Sequence, residues 1–186
     1  MYISNTVSHA IDFTPLDRRE GPIVERCVAH ARRYRLTAVA RLITRAGNGW
    51  LYPIASLLLF AVSLQHAARC VVTAAISLAI AFTLYPPLKR FLGRARPCHN
   101  NVRIADALQP LDRHSFPSGH AMTAAAFGVP IIVAAPPLAI PIVIGGCALV
   151  SWSRIALGHH YLSDIVAGTV IGASIAAVVT FWTAVA

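Results

Sequence analysis

Charged side chains are scarce in this chain of 186 residues. Asp, Glu, Lys and Arg make up 12% of the sequence, about half of the roughly 25% typical of a soluble domain. Hydrophobic residues account for 56%, and the mean hydropathy is +0.62. A single soluble core could not cover so much apolar surface, whereas a bilayer could. The shortage of charge argues against a soluble globule, excludes intrinsic disorder and predicts an integral membrane protein.

Acidic residues and lysine are the rarest charged types. The chain has 7 acidic residues against 16 basic ones, and Lys89 is the only lysine. The net charge of +9 suits phosphate or anionic lipid as a partner. Nucleic acid is a poorer partner, because long apolar runs interrupt the basic residues and no nucleic-acid-binding motif occurs. The four cysteines have no metal-ligand spacing and do not indicate a redox compartment.

The first 48 residues differ from the rest of the chain. Residues 1–20 are polar and lack the features of a secretory signal. From about Pro22 to Ala46, arginines alternate with apolar residues at roughly helical spacing, which predicts one amphipathic helix lying on the membrane surface. Fixing the membrane orientation is an equal interpretation of these arginines. We therefore divide the chain into an N-terminal region, 1–48, and a transmembrane domain, 49–186.

Five apolar stretches follow, each near the roughly 20 residues that a membrane-spanning helix requires. We place them at about 49–67, 70–88, 119–135, 138–157 and 164–185. Pro136 and Pro137 mark the turn between the third and the fourth. Gly168 and Gly172 form a GxxxG pair, which we interpret as packing within the bundle rather than as a dimer contact. The predicted fold is an all-α polytopic bundle with about five transmembrane helices and an N-terminal amphipathic helix.

The polar residues of the apolar domain are concentrated in a loop at 89–118 and a segment at 151–164. Burying such residues unpaired costs several kcal/mol each, so they are candidates for function. The loop opens with a cluster of cations, Lys89, Arg90, Arg94 and Arg96. Arginine can bind two phosphate oxygens at once, and lysine adds a point charge. For this stretch alone, a basic flank that sets membrane orientation is the simpler interpretation.

The loop ends directly before an apolar helix, at Ser118, Gly119 and His120. The backbone N–H groups of Ser118 and Gly119 and the Ser118 hydroxyl are expected to point at an anion near the positive helix end. An ordinary serine N-cap with an idle histidine is an equal alternative.

The second polar segment carries Arg154, His160 and Asp164. Because His160 and Asp164 are four residues apart, a helix there would let the carboxylate accept a hydrogen bond from one ring nitrogen and leave the other free as a nucleophile. The neighbouring His159 and Tyr161 could serve instead, or the group could be a polar interface cluster.

Taken together, the ordered motifs K-x6-RP at 89–97, PSGH at 117–120 and SR-x5-H-x3-D at 153–164 resemble those of the type 2 phosphatidic acid phosphatase family. Every motif position matches, and the resemblance covers about residues 49–186. It implies a membrane lipid phosphatase in which His160 attacks phosphorus to form a phosphohistidine. Asp164 would orient His160, and His120 would act as acid and then as base. The implied phosphate ligands are Lys89, Arg96, Ser118, Gly119 and Arg154.

The resemblance also implies that no metal or other cofactor is required. The sequence has no carboxylate cluster suited to magnesium, and we interpret Asp106 and Asp112 in the long loop as isolated and solvated. Family substrates are lipid phosphates and diphosphates, and the arginine-rich, lysine-poor composition favours a bacterial polyprenyl or envelope lipid. The expected location is the bacterial inner membrane. Two spans precede the loop, so a cytoplasmic N-terminal region would place the site on the cytoplasmic face, whereas insertion of the amphipathic segment would turn it outward.

Two other functions remain open from the sequence. A lipid hydroxyl could intercept the phosphohistidine instead of water, which would make the protein a lipid phosphotransferase. A non-catalytic membrane protein, such as a small transporter or scaffold, could retain the motifs by descent. The intact His120, His160 and Asp164 argue against the second, since a site without activity has no physical reason to keep a costly histidine–carboxylate pair at a membrane boundary.

Overall fold

The computed structural model describes residues 11–62, 64–104, 110, 112–134, 137 and 139–185. Within these ranges the chain forms α-helices and one 3-10 turn, and it contains no strand. The all-α prediction is therefore confirmed for this part of the chain. The 3-10 turn covers Val102–Ile104, and the helices are α1 (Thr14–Arg33), α2 (Thr37–Ala46), α3 (Leu51–Val62), α4 (Leu64–Leu92), α5 (Pro97–Asn100), α6 (Gly119–Ala134), α7 (Ala139–Ala156) and α8 (Leu162–Val185).

The five predicted spans correspond to α3, α4, α6, α7 and α8. Three segments are long and apolar enough to cross a membrane, namely Ala68–Leu92 of α4, all of α7 and all of α8. The first predicted span, 49–67, is too long, because α3 ends at Val62 and the next helix already begins at Leu64. The 12 residues of α3 extend about 18 Å, less than the roughly 30 Å hydrocarbon core. The turn predicted between the third and fourth spans lies between the end of α6 and the start of α7, with Pro137 within it.

The prediction of a single amphipathic helix from Pro22 to Ala46 is wrong. The chain forms two helices, α1 and α2, separated by a turn in which Arg35 adopts a left-handed backbone conformation with φ 58°. α1 also begins earlier than predicted, at Thr14, whose N–H donates to the Asp12 carboxylate at 2.9 Å. A short polar side chain that accepts from the first turn is a common way to start a helix.

Some apolar side chains of the N-terminal helices pack against the rest of the protein, and others are exposed. Val24 and Val28 of α1 are buried in one cluster with Ile104 and Tyr161. Ala31 and Ala40 pack against Ala156 and Leu157 in a second cluster, whereas other apolar side chains, Ile23, Val39 and Leu42, are exposed. The two N-terminal helices therefore cover the end of the bundle where α5, the 3-10 turn and the start of α8 meet.

α6 lies at the centre of the bundle, between α4 and α8. Met122 and Ala126 of α6 are fully buried in a cluster with Ala81 of α4. A Cβ added at Gly172 would overlap the Met122 carbonyl oxygen, and one at Gly168 would overlap that of Ser118. Only glycine permits this approach of α8 to α6, so the GxxxG pair packs within the bundle, as predicted. This packing sets the first turn of α6 beside the first turn of α8.

Candidate active site

One polar pocket at this end of the bundle collects residues from all three sequence motifs. Its volume is about 100 Å³. Predicted site residues that line it are Lys89 from α4, Arg96 from the loop, Gly119 and His120 from α6, Arg154 from α7 and His160 from the segment before α8. The remaining two predicted residues, Ser118 and Asp164, are fully buried behind the pocket wall. Residues up to 71 positions apart in the sequence therefore share one site, because α4, α6, α7 and α8 all present an end there.

His160 and Asp164 form the predicted pair. The Nδ1 atom of His160 lies 3.3 Å from Asp164 Oδ2, which also accepts a bond from the Tyr161 N–H at 2.8 Å. Asp164 is in the first turn of α8, whereas His160 lies in the segment just before the helix. The carboxylate therefore reaches back past the helix start, and the pair forms although His160 is not helical, which was the condition under which we expected it. If Nδ1 carries the proton, Nε2 has the lone pair and faces the cations of the pocket.

The surroundings of His160 favour its neutral form. The side chain is 1% exposed, and its Nε2 atom lies 3.2 Å from Nη1 of Arg96. Burial, and then the positive charges of Arg96, Arg154 and Lys89, hold the pKa of His160 well below its usual value. A neutral imidazole is the form that can act as a nucleophile.

Three buried cations line the pocket. Lys89, Arg96 and Arg154 are each less than 5% exposed. Arg96 is held by the backbone, donating from Nη1 to the His159 carbonyl at 2.7 Å and from Nε to the Asp112 carbonyl at 2.9 Å. The Nε atom of Arg154 is buried and has no hydrogen-bond partner among the described residues. A buried donor without a partner is costly, and a phosphoryl oxygen in the pocket would satisfy it.

Asp112 corrects the prediction of an isolated, solvated carboxylate. Its Oδ2 accepts from Lys89 Nζ at 2.8 Å, and its Oδ1 accepts from Arg96 Nη2 at 2.8 Å. Burial raises the pKa of this carboxyl, but Lys89 and Arg96 lower it more strongly, so the pKa lies below its usual value. The Asp112 carboxylate is thus an anion bound by two cations of the predicted phosphate site. Asp106, interpreted in the same way, lies outside the described residues.

Ser118 also differs from its expected role. Its N–H donates to the Asp164 carbonyl at 2.9 Å, so this group does not point at an anion in the pocket. Its hydroxyl accepts from the Ala121 N–H at 3.4 Å, which is the N-cap arrangement that we held as the alternative. Ser118 therefore joins the start of α6 to the start of α8. Gly119 lines the pocket where α6 begins.

His120 is placed in the first turn of α6, as predicted. Its Nε2 atom lies 2.8 Å from Oδ1 of Asn48, a residue that the sequence analysis did not select. An amide oxygen accepts hydrogen bonds, so this contact places a proton on Nε2 of His120. Asn48 and Gly47 line the pocket from the turn after α2, and the N-terminal region therefore contributes to the site.

An apolar groove lies beside the pocket, along α6. Gly47 lines both, and at the junction Tyr52 donates to the Thr123 hydroxyl at 2.7 Å. The groove has a volume of about 260 Å³ and lies between α3, α6 and α7. Residues that line it include Leu51, Ala55, Phe127, Ile131, Val143 and Gly146. The site is therefore polar at one end and apolar along the helix that carries His120.

Metal-ligating residues are not clustered in the part of the chain that the structure describes. No group of three or more His, Cys, Asp or Glu side chains there could hold a metal ion.

The sequence model of the family described as PAP2 superfamily matches residues 67–185. A lipid A 1-phosphatase from Rhizobium johnstonii is 36% identical over 91 residues, which are 46% of this chain and 36% of that protein. The chain therefore matches only about a third of the length of this relative. A decaprenylphosphoryl-5-phosphoribose phosphatase from Mycobacterium tuberculosis is 33% identical over 156 residues, 77% of this chain and 78% of that protein.

Among solved structures, a transmembrane PAP2-type phosphatidylglycerolphosphate phosphatase from Bacillus subtilis has the same fold. The TM-score is 0.72 at 23% sequence identity, and the match covers 93% of this chain and 88% of that one.

Proposed function

Since the chain belongs to the PAP2 superfamily, we propose that it is a membrane-bound phosphatase that removes phosphate from a lipid phosphate or diphosphate. The observation that carries the proposal is the meeting of His160, His120 and three buried cations in one pocket beside an apolar groove. Two relatives named as phosphatases of lipid A and of a decaprenyl-linked phosphoribose support the same class of substrate.

In the first step, Nε2 of His160 attacks phosphorus, forming an N–P bond while the P–O bond to the lipid breaks. Asp164 holds Nδ1–H, which fixes the ring orientation and stabilises the positive charge that develops on it. In its doubly protonated form, His120 gives one ring proton to the leaving lipid oxygen and becomes a neutral imidazole. Charge that builds on the phosphoryl oxygens is stabilised by Lys89, Arg96 and Arg154, which are already buried and oriented.

In the second step, water attacks the phosphohistidine. His120, now without that proton, accepts one from the water as its oxygen bonds to phosphorus. The N–P bond breaks, inorganic phosphate forms, and His160 returns to its neutral state. The proton on His120 is restored, so both histidines end as they began.

The apolar groove supports a lipid rather than a small soluble ester. A lipid whose phosphate lies among the cations of the pocket would place the first part of its hydrocarbon chain along Thr123, Phe127 and Ile131 of α6. Burial of that apolar surface adds about 25 cal/mol for each Å² removed from water. We therefore infer a substrate that enters sideways from the bilayer.

The site and the N-terminal helices lie at the same end of the bundle. α1, α2 and the turn between them carry eight arginines, while Arg69 is the single basic residue near the opposite helix ends among the described residues. The positive-inside rule then favours the cytoplasmic face of a bacterial inner membrane for the site. Asn100→Cys and Ala10→Cys, each in a background without native cysteines, should resist an impermeant maleimide applied to intact cells. Labelling of position 100 from outside would overturn this placement.

The proposed activity is tested by phosphate release from the detergent-purified protein in EDTA. The panel contains phosphatidic acid, phosphatidylglycerophosphate, undecaprenyl diphosphate and lipid A. Release is expected from at least one lipid, and it should disappear in His160→Ala but persist in His30→Ala, which removes an exposed histidine of α1. A phosphorylated acceptor lipid without free phosphate would indicate a phosphotransferase instead. Full release by His160→Ala would refute the mechanism.

A further inference from the structure

Arg94 lies behind the His160–Asp164 pair and does not line the pocket. Its side chain is fully buried, and its guanidinium donates to side chains of two different helices. Nη1 bonds to Asp164 Oδ1 at 2.6 Å, while Nε bonds to Asp17 Oδ1 at 2.9 Å and Nη2 bonds to Glu20 Oε2 at 3.0 Å. The guanidinium also lies 4.1 Å from the centroid of the Tyr161 ring. Arg94 is therefore fixed on several sides by α1 and by the start of α8.

The two oxygens of Asp164 have different partners. Oδ2 faces Nδ1 of His160, and Oδ1 is bound by Arg94. Oδ2 also accepts from the Tyr161 N–H at 2.8 Å, and the Arg94 bond fixes the second oxygen, so the two bonds together prevent rotation of the carboxylate. Since Asp164 orients His160, the bond from Arg94 contributes to the direction of the nucleophile's lone pair.

α1 completes this arrangement from outside the region that the family's sequence model matches. Glu20 accepts from the Ser163 N–H at 3.0 Å and from its hydroxyl at 2.7 Å, in addition to Arg94. Asp17 and Glu20 thus hold the arginine, and Glu20 also holds the first turn of α8, whereas the family match begins at residue 67. Arg94 thus forms ion pairs with three carboxylates, two on α1 and one on α8.

We propose that Arg94, held by Asp17 and Glu20 of α1, is a positioning residue that sets the orientation of His160 through Asp164. The expected effect of Arg94 on catalysis rests on the proposed phosphatase function. Its effect on the orientation of His160 does not. Lysine at position 94 would keep the charge but could not bond to Asp164 and both α1 carboxylates at once, because it lacks the planar fork of donors. Arg94→Lys is therefore expected to loosen the nucleophile while it preserves the net charge.

The test compares two anions that use the pocket differently. The vanadium of orthovanadate accepts a fifth ligand, so it can bond to Nε2 of His160 as a mimic of the transferring phosphoryl group. Inorganic phosphate is expected to bind through the cations of the pocket without a bond to His160. Binding of each is measured by titration calorimetry on the detergent-purified full chain. Arg94→Lys should weaken vanadate about tenfold or more, with phosphate affinity changed less than about twofold. Arg19→Lys, an exposed arginine of α1, is the matched control and should change neither.

Turnover of a lipid phosphate supplies the second measurement. Arg94→Lys should lower kcat about 10- to 100-fold with little change in KM, as expected for a misplaced reacting group. Combined with Asp164→Asn, it should add little to the loss that Asp164→Asn causes alone, because both act through the same carboxylate. If Arg94→Lys does not fold, Asp17→Asn is measured in its place. It should also weaken the binding of vanadate more than that of phosphate, but by a smaller factor.

The outcomes separate this inference from the proposed function. Equal weakening of vanadate and phosphate, or full additivity with Asp164→Asn, would overturn the positioning role and leave Arg94 a structural residue. A wild-type protein that binds vanadate tightly but hydrolyses no lipid would refute the phosphatase proposal, and the vanadate-to-phosphate ratio of Arg94→Lys would still decide the role of Arg94. A wild-type protein that binds neither anion would overturn both.

Discussion

Asp112→Asn is expected to increase the affinity of the pocket for phosphate. The Asp112 carboxylate is bonded to Lys89 and Arg96, the same two cations that are proposed to bind the phosphoryl group. An incoming phosphate must therefore replace both ion pairs. Asparagine has nearly the same shape, but it removes the negative charge that competes for these cations.

The size of the effect follows from the exposure of the two ion pairs. Asp112 is 38% exposed, whereas the Lys89 and Arg96 side chains are 6% and 1% exposed. Exposed pairs contribute about 0.2–1 kcal/mol each, and these half-buried pairs belong at the upper end of that range. Loss of the competing charge should then favour phosphate by about 1–2 kcal/mol, a roughly 5- to 30-fold lower Kd.

The assay is titration of inorganic phosphate into the detergent-purified protein. Glu25→Gln is the matched control, because it removes one negative charge on α1 away from the pocket, and its phosphate Kd should not change. The lowered pKa of Asp112 keeps the carboxylate ionised to a lower pH than usual. Its competing charge would be lost only as the pH falls through that lowered pKa. An unchanged or higher Kd in Asp112→Asn would refute the competition and indicate that the carboxylate helps to hold Lys89 and Arg96 in place.

Three further substitutions test other parts of the account. Asp164→Asn should slow lipid turnover by about 100-fold or more without loss of helical content in circular dichroism, because the nucleophilic histidine loses its orienting carboxylate. Gly146→Leu should reduce the hydrolysis of long-chain lipid phosphates but not of a short-chain ester, because it fills the apolar groove, whereas Gly145→Leu should spare both. Neither side chain would meet a protein atom at its Cβ. Gly172→Ala should lower the unfolding temperature, because its Cβ would overlap an α6 carbonyl oxygen and such overpacking costs about 1–3 kcal/mol.

Each of these substitutions has an outcome that would contradict it. Near wild-type turnover of Asp164→Asn would remove the carboxylate from the mechanism. Equal losses in Gly146→Leu and Gly145→Leu would indicate a general effect on α7 rather than a lipid chain in the groove. An unchanged unfolding temperature of Gly172→Ala would mean that α8 does not approach α6 closely enough for glycine to be required.

The features that could be predicted from the sequence depend on local composition or on fixed motif spacing. Hydropathy located α4, α6, α7 and α8, and the GxxxG pair of α8 indicated its packing. The motif residues Lys89, Arg96, Arg154 and His160 do meet in one pocket. Hydropathy, the GxxxG pair and the spacing within each motif are all properties of one helix or one short segment.

The features that could not be predicted depend on contacts between distant parts of the chain. Asp112 meets Lys89 across 23 positions, and Arg94 meets Asp17 across 77. No periodicity or spacing links such residues. The break between α1 and α2 was also missed, because the apolar spacing continues through a turn in which only the backbone of Arg35 changes conformation. The available signal in the sequence was the presence of charged residues directly beside long apolar segments, where an unpaired charge is costly.

Trapping of the covalent intermediate identifies the residue that receives the phosphoryl group. The purified protein is mixed with a lipid phosphate that it hydrolyses and is quenched in alkali, which preserves phosphohistidine, and its peptides are then examined by mass spectrometry. One phosphoryl group is expected on His160 of the wild-type protein, and it should be absent in His160→Ala. Phosphate on another residue, or steady turnover by His160→Ala, would contradict the proposed mechanism.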